Sequence, residues 1–193
     1  MLEEAAAELF LEQGYDRTTI DQISARAGVA RTTFFNYFET KGDVLWVELD
    51  AAIPRLEAEL AGADSRLDPF VAVAESLRAT SAGVPADRVP WAVAHRELMG
   101  TGAELASSGL VRLLSVADVV ARFLARRDPC IEGASARAIG AAVAAGAMAG
   151  AGRWIEAGTG RGSLADAIGD AVGPVLDGWS RALGTAAAPL AVD

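Results

Sequence analysis

The chain has 193 residues and a mass of 19.9 kDa, which fits one domain or a small domain joined to a larger one, since a domain typically has ~100–200 residues. With 52% hydrophobic and 22% charged residues, the composition favours a globular protein over a disordered one. The net charge of −9 and the pI near 4.7 exclude a non-specific nucleic-acid coat, which needs a basic surface. They do not exclude a small DNA-reading surface.

The scarcity of cysteine and histidine excludes several kinds of site. A single cysteine, Cys130, leaves no internal disulfide and no thiolate zinc cluster. A single histidine, His95, leaves no two-histidine metal site. We therefore expect neither a metal nor a cofactor.

The sequence also argues against a membrane protein. No stretch reaches the ~18 uncharged residues needed to span a bilayer, and the longest candidate, residues 138–152, is mostly alanine and glycine between Arg137 and Arg153. Glu3 and Glu4 stand where a signal peptide would carry basic residues. We expect a soluble, cytoplasmic protein that does not bind a membrane.

Residues 1–43 predict three short helices. The apolar pattern predicts the first over residues 2–13, with Gly14 as its stop. Thr18 lies three residues before Asp21 in a pattern typical of a helix N-cap, so a second helix should begin here. It should end at Gly28, and the third helix should follow over residues 30–38 with two phenylalanines facing the core.

The remainder predicts six longer helices rich in alanine and leucine. Pro54 should kink the first of them, and residues 173–174, Gly-Pro, should kink or break the last. Residues 83–90 should form a loop, and the tail from residue 185 should be loose. The helices are expected at about residues 44–60, 69–81, 89–99, 103–127, 135–156 and 163–183.

The second and third helices, joined by a tight glycine turn, predict a helix-turn-helix. Gly28 can take the left-handed conformation that other residues adopt only at a cost. The bare face of the third helix carries Arg31, Thr32 and Thr33, which could reach base edges in a major groove. Residues 25–38 hold two arginines and no acid, so we expect a locally basic patch.

One continuous run resembles the DNA-binding domain of the TetR family of bacterial regulators. Residues 5–45 read AAAELFLEQGYDRTTIDQISARAGVARTTFFNYFETKGDVL, and the marks of the family are Phe10, Gly14, TTIDQIS, AGV and TFFNYFETK. The resemblance implies an all-α fold, with an N-terminal helix-turn-helix DNA-binding domain at residues 1–45. A helical ligand-binding and dimerisation domain would occupy residues 46–193.

The resemblance also assigns DNA contacts, and Lys41 and Tyr37 would touch phosphates. Threonines at the start of the second helix would lie where its dipole and free N–H groups favour a phosphate. Ala30 replaces a usual capping serine, and Phe35 replaces a usual tyrosine, so that only apolar contact remains there. The implied DNA-binding residues are Thr18, Thr19, Arg31, Thr32, Thr33, Phe35, Tyr37 and Lys41.

Two further sites follow from the family plan. A small-molecule ligand would lie in the larger part, where Trp91, His95, Met99 and Phe123 line a pocket or are simply part of the core. Family members dimerise through their last two helices. On these helices the small residues Ala142, Gly146 and Gly150 allow close helix approach, and Val172, Leu176 and Trp179 form an apolar stripe.

The sequence therefore predicts a homodimeric TetR-family repressor that binds double-stranded operator DNA and responds to a small-molecule effector. No catalytic residue is assigned. Two alternatives remain open: an all-helical enzyme that uses His95 and Glu97 as acid and base, and a helical interaction module. The ligand, the operator and the choice between repression and activation are not encoded in any recognisable motif.

Overall fold

The computed structural model describes residues 1–84 and 91–186. Within these residues it contains helices and no strand, as the sequence predicts. The α-helices are α1 Leu2–Gln13, α2 Ile20–Arg26, α3 Arg31–Phe35, α4 Val47–Gly62, α5 Pro69–Ala82, α6 Trp91–Ala94, α7 Arg96–Met99, α8 Gly102–Arg127, α9 Gly133–Glu156 and α10 Leu164–Ala186. Short 3₁₀ helices occupy Lys41–Trp46 and Gly158–Gly160.

The described chain forms two compact units. The first unit consists of residues 1–51 and 91–112, and the second unit consists of residues 52–84 and 113–186. The first unit is larger than the predicted N-terminal domain at residues 1–45, because α6, α7 and the start of α8 belong to it. The backbone carbonyl of Met99 accepts a hydrogen bond of 2.7 Å from the backbone N–H of Tyr15, which joins the two segments.

The core of the first unit is rich in aromatic residues. Phe10, Ile23, Phe34, Val44 and Met99 are each at most 1% exposed and form its centre. Burial of a large apolar side chain stabilises a fold by roughly 1.5–3 kcal/mol, so these side chains fix the first three helices. The core phenylalanine of α3 thereby determines which side of that helix faces outward.

The second unit is built from aliphatic and small residues. Its core contains Val73 of α5, Val120 and Leu124 of α8, and Ile139 and Val143 of α9, all at most 1% exposed. Small residues allow the helices to approach closely. At Gly140 of α9, an added Cβ would lie only 2.2 Å from the backbone oxygen of Ala117 in α8, so the two helices are in close contact there.

Several helix ends differ from the sequence prediction. The third helix ends at Phe35 instead of residue 38, and the fourth begins as the 3₁₀ helix Lys41–Trp46 before α4, which contains Pro54. The helix predicted over residues 89–99 is two short helices separated at His95, and residues 89–90 lie outside the described residues. Residues 85–90 of the predicted loop and 187–193 of the predicted tail also lie outside them.

Of the kink or break predicted in the last helix, the break is wrong, because α10 continues through Pro174. Proline removes one helical hydrogen bond and crowds the preceding turn. Val172 and Leu176, on either side of it, are 1% and 3% exposed, so the packing of both flanks holds the helix together.

Helix α9 is long and apolar enough, by length and composition alone, to cross a membrane. It has 24 residues, and its most apolar 18-residue window has a mean hydropathy of 1.2. The sequence analysis named residues 138–152 of this helix as the longest candidate and set them aside, because it asked for an uninterrupted uncharged stretch, whereas α9 contains Arg137 and Arg153. In the second unit α9 packs against α10 through its small residues, as the core helix of a helical domain does.

Candidate nucleic-acid interface

The turn before α2 is organised by two neighbouring threonines with different tasks. Thr19 is the N-cap: its hydroxyl accepts from the Gln22 N–H at 3.2 Å, and the Gln22 side chain accepts from the Thr19 N–H at 2.8 Å. This corrects the predicted cap at Thr18. The Thr18 side chain is 1% exposed and donates to the Gly14 carbonyl at 2.9 Å, so its hydroxyl faces the interior and not the surface.

The corner between α2 and α3 has the predicted form. Gly28 has φ +70°, the left-handed conformation that favours glycine. The N–H of the half-buried Val29 donates to the Ser24 carbonyl at 2.9 Å and closes the corner. This backbone geometry fixes the angle at which α3 leaves α2.

Helix α3 is amphipathic over only five residues. Phe34 is fully buried, and its ring centroid lies 5.3 Å from that of the half-buried Phe38. On the outer side Thr32 is exposed and Phe35 is 46% exposed. Ala30 provides no side-chain cap, as predicted. Packing, and not capping, therefore determines the orientation of α3.

Two more predicted contact residues extend this outer side. Tyr37, in the turn after α3, is 72% exposed, while Thr33 is half-buried. Arg31, at the start of α3, is exposed, as is the capping residue Thr19. Apart from the buried Thr18, the predicted residues of α2, α3 and the turn after α3 thus have solvent access.

The predicted basic patch is not basic in the folded protein, which corrects the reading from sequence. Arg31 forms an ion pair with Asp21 of α2 at 2.8 Å. Arg26 forms ion pairs with Glu8 at 3.0 Å and Glu12 at 2.7 Å on α1, and the hydrogen bond from Arg26 lowers the pKa of Glu12. A count over residues 25–38 misses these acids, because neighbouring helices supply them.

Lys41 lies beside the turn between α1 and α2. Its ammonium group donates to the carbonyls of Tyr15 at 2.6 Å and Thr18 at 2.9 Å, and it lies 3.9 Å from the centroid of the Tyr15 ring. Burial lowers the pKa of Lys41, while the carboxylates of Asp16 and Glu104 oppose that effect. Burial and the carboxylate of Glu104 raise the pKa of Tyr15. Lys41 is thus half-buried and holds this turn in place.

An arginine that the sequence analysis missed joins three helical segments of the first unit. Arg112 of α8, only 12% exposed, donates to Asp43 at 2.9 Å and Asp50 at 2.7 Å, and it lies over the Trp46 ring. Burial raises the pKa of Asp43, but hydrogen bonds from Arg112 and Thr40 outweigh it and lower the pKa overall. The Thr40–Asp43 spacing is a capping box that the sequence could have indicated.

The four residues of the predicted ligand pocket have different surroundings in the structure, and the pocket itself stays a prediction. Met99 lies in the first core, Trp91 packs against that core and donates to Glu3 at 3.1 Å, and Phe123 lies in the core of the second unit. His95 is exposed and borders an open surface depression formed by residues 94–98, which include Glu97. Within the described residues, no group of three or more His, Cys, Asp or Glu could hold a metal.

Most of the predicted dimer residues contact their own chain. A Cβ on Gly146 or Gly150 would meet residues of α10 at 3.4 Å and 2.5 Å. On α10, Val172 and Leu176 are buried and Trp179 packs against the same core. The glycines thus join α9 to α10 within one chain, and Ala142 beside them is half-buried. A different side of α9 is exposed; it carries Ala138, Ala141, Ala145, Met148 and Ala149.

Two family models match this chain. Residues 2–45 match the model described as bacterial regulatory proteins of the tetR family, which coincides with the N-terminal segment in which the sequence predicts a helix-turn-helix. Residues 67–180 match the model of the MftR C-terminal domain and make up more than half of the chain.

Similar proteins of known name are transcriptional regulators. MftR of Mycobacterium tuberculosis, named for mycofactocin biosynthesis, is 27% identical over 66% of this chain and 64% of its own length. TcmR of Streptomyces glaucescens is 31% identical over 70% of this chain and 56% of its own length. The chain thus spans less than two thirds of either relative.

A solved structure has the same fold. The FadR repressor of Thermus thermophilus, crystallised with lauroyl-CoA, superposes with a TM-score of 0.57 at 24% identity and covers 92% of both chains. This likeness extends the agreement from the helix-turn-helix to the succession of helices in the larger part.

Proposed function

This chain belongs to the TetR family of bacterial transcriptional regulators, and we propose that it represses transcription by binding double-stranded operator DNA through the outer side of α3. The observation that carries the proposal is the amphipathic α3, with Phe34 fully buried and Phe35 and Tyr37 exposed, held at a fixed angle by the left-handed Gly28. A short helix held in this way presents its outer side to a major groove.

We assign the contacts by chemistry and exposure. Arg31 and Thr32 would read base edges, since a guanidinium can pair with guanine and a threonine can donate, accept or offer a methyl group. Thr33, half-buried, would contribute at the edge of this surface, and Phe35 would touch a thymine methyl. Tyr37 would donate to a phosphate.

Two residues would support binding from outside α3. The exposed Thr19, whose hydroxyl donates to the Gln22 side chain at 3.2 Å in the free protein, would turn that donor to a phosphate next to α2. Lys41 has used two of its donors on backbone carbonyls, so it would approach a phosphate with the third while holding the turn in shape. Because the whole protein is acidic, affinity would rest on these few contacts and fall with salt in proportion to the number of phosphates that they neutralise.

We propose that the protein works as a cytoplasmic homodimer. The exposed side of α9, from Ala138 to Ala149 with Met148 near its C-terminal end, consists of small and apolar residues that suit close packing of a second copy. Two copies of α3 would then enter successive major grooves about one helical turn (~34–36 Å) apart, so that the operator is close to palindromic.

We propose further that a small-molecule effector releases the operator, and that the protein has a regulatory and not a catalytic role. An effector can shift the protein only if it favours the DNA-free conformer by several kcal/mol. The chemical nature of the effector would differ between family members, because a shared fold does not determine the ligand.

The test begins by selecting duplexes from a random-sequence pool with the wild-type protein. Fluorescence anisotropy then measures the affinity for a selected duplex and for a scrambled one. Arg31→Ala should weaken binding to the selected duplex by ~1–3 kcal/mol and so reduce the preference for it over the scrambled duplex. Lys41→Ala should weaken binding to both duplexes by a similar amount. An Arg31→Ala protein that binds both duplexes as wild type does would contradict the assignment.

A further inference from the structure

The guanidinium proposed to read DNA is already bound to a carboxylate of its own chain. The Nη1 group of Arg31 donates to both carboxylate oxygens of Asp21, at 2.8 and 2.9 Å. The same guanidinium lies 5.5 Å from the centroid of the Phe35 ring. Asp21 is in the first turn of α2 and Arg31 at the start of α3, so the pair bridges the two helices of the motif.

A carboxylate and an acceptor group of DNA would bind the same N–H donors of Arg31. Arginine presents its N–H donors in a planar fork that fits carboxylates, phosphates and the acceptor edge of guanine alike. The Nη1 donors that point at Asp21 cannot also point at a base or a phosphate. Both side chains are largely exposed, at 58% and 65%, so the pair is open to competition from a ligand in solution.

We propose that Asp21 is an internal competitor for the operator, which binds Arg31 in the free protein and must release it before Arg31 contacts DNA. This inference rests on the proposed function. The free energy spent on separating Arg31 from Asp21 is subtracted from every DNA contact that Arg31 makes. Asp21 therefore sets the affinity of the helix-turn-helix without touching DNA itself.

The competition differs from general repulsion between acids and phosphates. The first unit carries other exposed carboxylates, such as Glu39 after α3, that form no ion pair with Arg31 or Arg26. Removing the charge of Glu39 would only weaken the repulsion between the protein and the DNA phosphates. Removing the charge of Asp21 would weaken repulsion and also free Arg31.

A double-mutant cycle separates the two effects. Asp21→Asn, Arg31→Ala and the double variant are titrated at one fixed salt concentration against the duplex selected by the wild-type protein, with Glu39→Gln as the control of equal charge. Asp21→Asn should tighten binding about fivefold, the factor that corresponds to an exposed ion pair of about 1 kcal/mol. In the Arg31→Ala background, Asp21→Asn should increase the affinity for the duplex by no more than Glu39→Gln does.

Two results would overturn the inference. If Asp21→Asn tightens binding equally with and without Arg31, Asp21 acts through repulsion alone; if it weakens binding, Asp21 positions Arg31 for reading. Thermal melts check that each variant is folded, and Asp21→Ser replaces Asp21→Asn should the latter be unfolded. A wild-type protein without preference for any duplex would instead refute the proposed function, which distinguishes the two failures.

Discussion

The two compact units are stabilised in different ways. The first unit surrounds an aromatic core with polar groups that bind distant parts of its chain, such as Lys41 on the Tyr15 carbonyl and Arg112 on Asp43. The second unit relies on aliphatic side chains and on glycines such as Gly140, where two helices approach closely. The second unit also has ion pairs between distant residues, such as Arg78 with Asp166 at 2.8 Å, but those two side chains are 62% and 59% exposed. Polar partners that are largely buried, such as Arg112 with Asp43, therefore distinguish the first unit, and the interior of the second depends on volume.

This difference explains why the first unit, and not the second, carries a short motif that is recognisable from sequence. A turn held by particular donors and acceptors needs particular residues, so the first 45 residues carry a recognisable motif. Close packing of helices needs only small and apolar residues at the right spacing, which many sequences provide. Substitutions of core residues should therefore alter DNA binding chiefly in the first unit and stability alone in the second.

The largest effect is expected at the aromatic core of the first unit. Phe34→Ala should lower the free energy of unfolding by about 3–5 kcal/mol, because Phe34 is fully buried. It should also abolish DNA binding, since α3 loses its support. The neighbouring Phe35→Ala, at a position 46% exposed, should cost stability by less than about 1 kcal/mol while still weakening binding. Urea unfolding followed by circular dichroism measures the stabilities, and similar losses for the two variants would contradict the assigned orientation of α3.

The second unit should respond to added volume and not to lost polar contacts. Gly140→Ala would place a Cβ 2.2 Å from the Ala117 oxygen, and this overpacking should cost about 3 kcal/mol. Gly152→Ala, on the same helix with no atom within 4 Å of the added Cβ, should stabilise by up to about 1 kcal/mol through helix propensity. Thermal and urea unfolding of both variants provide the comparison, and equal stabilities would show that α9 and α8 are less closely packed than described.

The polar partners of the first unit can be tested at Arg112. Arg112→Met should lower the free energy of unfolding at pH 7 by about 2 kcal/mol, because two carboxylates lose their donor. The matched control in the second unit is Arg66→Met, since the Arg66 side chain is 88% exposed and such surface pairs contribute ~0–1 kcal/mol. A larger loss for Arg66→Met than for Arg112→Met would reverse the comparison between the units.

The same pair predicts a pH dependence. The pKa of Asp43 is lowered in the folded protein, so its contribution to stability is present above the ordinary aspartate pKa of about 3.9 and is lost as the pH falls through the lowered value. The difference between wild type and Arg112→Met should therefore shrink below about pH 4. A difference that grows on acidification would show that burial, which raises this pKa, dominates instead.

Local features of this fold were predictable from sequence, and long-range ones were not. The left-handed Gly28 and the ends of α1 follow from residues next to them in the chain. The pair between Arg112 and Asp43 joins residues 69 positions apart, and no local pattern marks it. The glycines of α9 predicted a close helix approach, but the spacing could not say whether the neighbour is α10 of the same chain or a second copy.

The candidate site shows the same limit. Exposure of Thr32, Phe35 and Tyr37 followed from the period of a helix with Phe34 inside. The neutralisation of Arg31 did not, because Asp21 comes from the preceding helix, ten residues away. Charge counted along a segment describes a surface only when no neighbouring helix contributes to it.

The smallest expected effect compares two buried hydroxyl groups of the first unit. The Thr18 hydroxyl donates to the Gly14 carbonyl at 2.9 Å, whereas the buried Ser24 hydroxyl has no hydrogen-bond partner among the described residues. Thr18→Val keeps the shape but removes the donor, which should cost about 1 kcal/mol. Ser24→Ala removes an unsatisfied polar atom, so it should leave stability unchanged or raise it by up to about 1 kcal/mol.

Urea unfolding of the two single variants and of the double variant decides whether buried polar groups in this unit stabilise it only when they are paired. The two effects should be opposite in sign and additive in the double variant, because the hydroxyls do not share a partner. If Ser24→Ala instead destabilises as much as Thr18→Val does, the Ser24 hydroxyl makes a hydrogen bond in solution. Its role in the corner before Gly28 would then equal that of Thr18 in the turn before α2.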